Sequence, residues 1–133
     1  MAAQFSAEAQ FSSHEKNSVN DMRLLSLAMA QYAIDNGDGF PSTIDQLTNE
    51  LPSSHPSWGS FYAFDFVNAG VVNRDHPKAI ALRERLARQA PDGTWRRIYG
   101  FADGRVVTAT SYDGDFEAWE KVNTESLQPK TDQ

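Results

Sequence analysis

The residues of this 133-residue chain best suited to chemistry are aspartates set beside glycines. Asp35-Asn36-Gly37-Asp38-Gly39 is the densest knot, and Asp103-Gly104 and Asp113-Gly114-Asp115 repeat the theme. Carboxylates on turns are hard oxygen donors of the kind calcium takes. The first knot fails as an EF-hand loop. Counted from Asp35, the third and fifth positions are glycines and the twelfth is Gln46, where that loop needs oxygen ligands and a glutamate. The knot reads instead as a helix stop followed by a turn, because Asn36 and Gly37 both tolerate left-handed backbone. Asp113 and Asp115, with Asp103 as a third, are the candidate calcium ligands. The plain alternative is that these loop acids face water.

Other chemistries find little footing. The chain has no cysteine, which removes thiolate metal sites, disulfides and cysteine nucleophiles. His14, His55 and His76 have no H-x-x-x-H spacing and read as surface or loop residues. No G-x-S-x-G, P-loop or G-x-G-x-x-G pattern occurs. Glu117 and Glu120 read as acids on a helix surface, and no catalytic set is expected. The net charge of −6 would repel nucleic acid. Arg83, Arg85, Arg88, Arg96 and Arg97 read as solvated surface arginines.

The elements that must position these residues follow from periodicity. The chain fits one domain over 1–133, with 40% apolar and 23% charged residues, enough to build a core. Residues 1–16 stand apart as a frayed, disordered or vector-derived stretch, or a weak amphipathic helix. A long helix is expected over 17–36, with Ser18 and Asp21 as its capping box. Met22, Leu25, Met29 and Tyr32 form its packing face, widened by Leu24, Leu27, Ala28 and Ala33. Pro41 follows the stop, and Ser42 with Asp45 would cap a short second helix over Ile44 and Leu47. A globular head over 37–126 then carries a strand at "FYAFDFVNAG", while "KAIALRERL" is ambiguous between a strand through Ile80 and Leu82, the favoured reading, and a short helix. A hairpin pairs Trp95–Ala102 with Arg105–Ala109 around Asp103-Gly104. Phe116, Trp119 and Val122 step as a short helix, and 127–133 is a polar tail. Trp95, Tyr99, Phe101, Tyr112, Phe116 and Trp119 read as the core between sheet and long helix. Helices and strands are segregated, so the fold class is α+β: a long N-terminal helix packed on an antiparallel sheet of about four strands.

The segment "NDMRLLSLAMAQYAIDNGDGFPSTIDQL" resembles the soluble half of bacterial type IV pilin-like proteins, especially type II secretion pseudopilins. The likeness rests on Asp21, Leu24, Leu27, Ala28, Tyr32, Asp35, Asn36, Gly37, Phe40 and Pro41, with Thr43, Gln46 and Leu47 after them. "YGFADGRVVTATSYDGDFEAWEK" is similar to prepilin-like proteins marked by a His, nine residues and Asp-Gly. Asp103-Gly104 match, and the His position falls at Gly93.

The resemblance implies a pilin-like fold and a structural, non-enzymatic role as the soluble head of a secretion or pilus-type fibre subunit. Asp35, Asn36, Gly37 and Pro41 become the joint between helix and head. The implied partners are other pilin-like subunits or secretion-system proteins, with calcium as a cofactor held at Asp113 and Asp115. The implied compartment is the periplasm or cell envelope. Family members are anchored by an upstream apolar helix. Residues 1–17 of this sequence do not carry one, so the expectation is either an anchor removed from upstream or a soluble relative that never assembles. No stretch reaches the roughly 18 apolar residues of a membrane span. The competing expectation is a free-standing soluble binding or adaptor module in the cytoplasm.

Overall fold

The computed structural model describes residues 7–51, 58–67 and 75–124, with only the backbone of Trp58. Pro52, His55, the end of "FYAFDFVNAG" and the 127–133 tail lie outside the described residues. The fold is α+β, with one long helix against an antiparallel sheet.

Helix α1 runs Ala7–Asp35, so it opens well before residue 17. Its 29 residues give a length of about 43 Å. The added turns include the good helix formers Ala, Glu, Gln and Lys and hold no Gly or Pro, so nothing interrupts the helix. Ser18 is therefore an interior, buried residue and not an N-cap. Met22, Leu25, Ala28, Met29 and Ala33 are buried and Tyr32 is half-buried. Leu27, expected inside, is 70% exposed. A 3-10 turn covers Ile44–Leu47. Its cap is Thr43 with Gln46, in place of the expected Ser42 and Asp45.

A short helix α2, Trp58–Phe61, takes the start of the predicted first strand and buries Phe61. The strands are β1 Phe64–Phe66, β2 Ile80–Glu84, β3 Arg88–Gln89, β4 Trp95–Phe101 and β5 Val106–Ser111. The ambiguous "KAIALRERL" is thus a strand, and the hairpin forms as its turn residues require. Gly104 sits at φ 92° and donates to Phe101 O at 2.9 Å, closing the loop between β4 and β5. The sheet has five strands where about four were expected. β2 and β3 lie end to end along one side of β4, β5 lies along the other, and β1 flanks β2.

The sheet separates two apolar clusters. Met22, Leu25 and Met29 of α1 pack with Leu82, Ile98 and Phe61 on one face. Ile80, Tyr99, Phe101, Ala109 and Phe116 gather on the other, with Trp95 and Trp119 against them. Helix α3, Glu117–Asn123, covers this second face. The C-terminal aromatics therefore pack away from the long helix, and Tyr112 is 90% exposed. Val122, at a helical step from Trp119, is 82% exposed.

Candidate functional site

The joint after α1 is built by its own sequence. Asp38 N donates to Ala33 O at 2.8 Å, and Asn36 N to the same carbonyl at 3.2 Å. Gly37 and Asp38 both have positive φ, the left-handed backbone that ends a helix. No cation sits in the last turn, and Asn36 Nδ2 satisfies Tyr32 O at 2.8 Å. Pro41 is buried behind it. Gln46 Oε1 accepts from the backbone N–H of Ser42 and of Thr43, while its Nε2 donates to the Tyr32 hydroxyl at 3.4 Å. Asn36, Gly37, Pro41 and Tyr32 thus lie together where the helix ends, while Asp35 is its last residue and accepts from Gln31 Nε2 at 3.4 Å.

The candidate calcium ligands do not converge as a set of three. Asp103 lies in the β4–β5 turn, beyond the Gly100–Val106 pair. Asp113 and Asp115 lie beyond the Trp95–Ser111 pair at the opposite end of that hairpin. About five residues of strand, roughly 17 Å, separate the two ends, so Asp103 cannot join them at one ion. Among the described residues no group of three or more His, Cys, Asp or Glu side chains gathers to hold a metal. Asp113 Oδ1 accepts from Ser111 Oγ at 2.8 Å and from Asp115 N at 3.0 Å. These bonds hold the Asp113 carboxyl below the usual carboxylate range, the Asp115 backbone bond being the larger cause. Asp115 Oδ1 accepts from Glu117 N at 2.9 Å and so caps the first turn of α3. Asp103 Oδ1 accepts from Arg105 N at 2.9 Å.

The arginines expected to face water are mostly paired. Glu120, expected on a helix surface, lies at the centre of a network between α3 and the sheet. Its Oε2 accepts from Tyr99 Oη at 2.7 Å and its Oε1 from Arg83 Nη1 at 3.0 Å, with Arg97 Nη1 at 3.8 Å. Burial first, and the Glu120 hydrogen bond and charge second, push the Tyr99 phenol well above its ordinary pKa. Asp65 pairs with Arg85 at 2.9 Å, and Asp92 with Arg96 at 3.6 Å.

A second network repairs the break between β2 and β3. The buried Glu84 accepts from Ile98 N at 2.8 Å and pairs with Arg88 at 3.3 Å, while Arg97 Nε donates to Glu84 O at 2.7 Å. Arg88 in turn lies 5.3 Å over the Phe11 ring of α1, a cation–π contact that ties the helix to the sheet. Spacing does not reveal Glu120, whose partners Tyr99, Arg83 and Arg97 lie on strands far along the chain. For Glu84 it offers Arg88 four residues on but not the Ile98 N–H of β4.

An open groove of about 600 Å³ runs between α1 and the β4–β5 turn. Arg23, Leu27, Ala30, Pro77, Ala102 and Asp103 line it. Ser26 also borders it, and its Oγ is buried with no hydrogen-bond partner among the described residues. Such a volume falls within the range of small-molecule pockets. Among the described residues no helix is long and apolar enough to cross a membrane. Comparison with protein-family models, curated proteins and solved structures gives no match.

Proposed function

We propose that this chain is the head of a structural, pilin-like fibre subunit of the pseudopilin kind, working in the periplasm or cell envelope beside other such subunits. One observation carries the reading. A 29-residue helix ends in the Asp35-Asn36-Gly37 stop, and Pro41 and Gln46 lock the following segment back onto Tyr32. A rigid joint of this kind suits a subunit whose helix must transmit position to its head. The resemblance in "NDMRLLSLAMAQYAIDNGDGFPSTIDQL" supplies the family. The test is the natural reading frame upstream of Met1. A basic leader followed by about 20 apolar residues supports the fibre reading. A stop codon directly upstream overturns it.

The groove beside α1 favours a second reading, a free-standing binding or adaptor module, which that stop codon would move to first place. Calcium comes with the fibre reading, at the Ser111–Asp115 loop, where Asp113 and Asp115 would hold it. Thermal melting in calcium and in a chelator decides this. A rise in Tm with calcium that disappears in the Asp113→Ala, Asp115→Ala double variant supports the site, and superimposed curves remove it.

A further inference from the structure

The hydrogen-bond parity of the sheet leaves one edge of β5 open. Ile98 gives its N–H to Glu84 Oε1, on the β2 side of β4. Ile98 is paired with Thr108, so Thr108 turns its own N–H and C=O away from β4. Alternation along the strand places Val106 and Thr110 the same way. At the turn, Phe101 N donates to Arg105 O at 2.8 Å, which fixes the same parity independently. Among the described residues, none of the outward groups of Val106, Thr108 and Thr110 has a backbone partner.

Strand edges are normally guarded by charge, proline, a bulge or shortness. The opposite edge of the sheet follows that rule. β1 has only three residues and carries Asp65 in its centre. β5 has six residues, Val-Val-Thr-Ala-Thr-Ser, with no charge, no proline and a high share of β-branched side chains. Its register with β4 is continuous from Val106 to Ser111.

We propose that β5 is a self-association edge, pairing antiparallel with β5 of a second copy of this chain across a two-fold axis at Thr108. This register sets Thr108 against Thr108 of the second copy and Val106 against its Thr110. The three pairs use every outward group and form about six backbone hydrogen bonds. The two-fold axis fixes the antiparallel sense, and the strand ends carry charges of both signs. Arg105 precedes the strand, exposed and stacked 4.2 Å over the Phe101 ring, and Asp113 and Asp115 follow it. In this register Arg105 of each copy stands opposite Ser111 of the other, two residues from Asp113, and Asp103 stands opposite Asp113, so the strand-end charges are mixed and do not set the pairing. Asp103 also stands near Arg105, its carboxylate bonded to the Arg105 N–H. Pairing through one strand covers less surface than a standard stable interface, so the dimer is weak and forms at high concentration.

Sedimentation equilibrium of the full chain over a concentration series tests this. The expected result is a mass rising from one chain toward two. Thr108→Pro should hold the mass at one chain with an unchanged circular dichroism spectrum, since the lost N–H is one that β4 does not use. Thr108→Lys is the second variant, placing like charges opposite each other at the axis. The chain has no native cysteine, so register is read from single cysteines under oxidised glutathione. Thr108→Cys should form a disulfide dimer readily, and Thr110→Cys should not. A monomer at every concentration overturns the proposal. So does a dimer that survives both Thr108 variants, because it would lie on another surface. Neither result bears on the upstream reading frame that tests the fibre role.

Discussion

The two faces of the sheet are held by different physics. The face under α1 is apolar, with Met22, Leu25 and Met29 against Leu82 and Ile98. The face under α3 combines aromatic packing with a charged network. Tyr99 and Trp119 rings lie 4.5 Å apart, and Glu120 gathers Tyr99, Arg83 and Arg97. The difference follows from the covering element. A long helix brings many apolar side chains and needs no polar anchor. The seven-residue α3 has no fully buried side chain, so hydrogen bonds and ion pairs fix its position. A short element therefore relies on directional contacts where a long one relies on area.

The largest effect should come from the α1 face. Leu25→Ala is expected to cost about 2–5 kcal/mol in a denaturant titration, because the residue is fully buried. A loss near zero would place the helix wrongly on the sheet. On the same face, Gly100 leaves room for Met22. A Cβ there would lie 3.1 Å from Met22 Sδ and 3.2 Å from Leu82 Cβ. Gly100→Val should cost about 1–3 kcal/mol by overpacking, read by the same titration.

The α3 face should respond through its polar groups. Glu120→Ala leaves Tyr99, Arg83 and Arg97 without their shared acceptor and should cost about 1–3 kcal/mol. Hydrogen exchange should show the α3 amides losing protection while those of α1 keep theirs. Equal loss in both helices would mean that the two faces do not respond separately.

The smallest effect at neutral pH is Tyr99→Phe, about 0.5–1.5 kcal/mol. Its use is the alkaline limb. The folded state raises the Tyr99 pKa above the unfolded value near 10, so its stabilisation is complete below that pH and is lost as pH rises above it. Wild type should lose stability more steeply than Tyr99→Phe above about pH 10. Parallel curves would show that the phenol proton plays no part in holding α3. At the acid end the sign reverses. Asp113 and Asp92 are lowered, so their contribution is present above the ordinary carboxylate range and lost as pH falls through their folded values.

Much of the site was legible where the cause was local. Asn36-Gly37 ends a helix because the adjoining backbone must turn left-handed, and both residue types allow it. Asp103-Gly104 turns a hairpin for the same reason. The start of α1 was misplaced because Ser18 and Asp21 imitate a cap, while the eleven residues before Ser18 already belong to the same uninterrupted helix. The arginines were misread because their partners, Asp65, Glu84 and Glu120, come from other elements.

By itself the sequence determined the α+β class, the apolar stripe of α1, the helix stop, the hairpin turn and the absence of thiol chemistry, because each depends on residue type and near spacing alone. Tertiary structure decided the rest. It set the aromatics on the face opposite α1, put Asp103 at the far end of the hairpin from Asp113 and Asp115, and buried Glu84 at a gap between strands. Among the described residues it also left the outer edge of β5 without a backbone partner. Those outcomes depend on strand order, parity and register, which arise only when segments far apart in the chain pair.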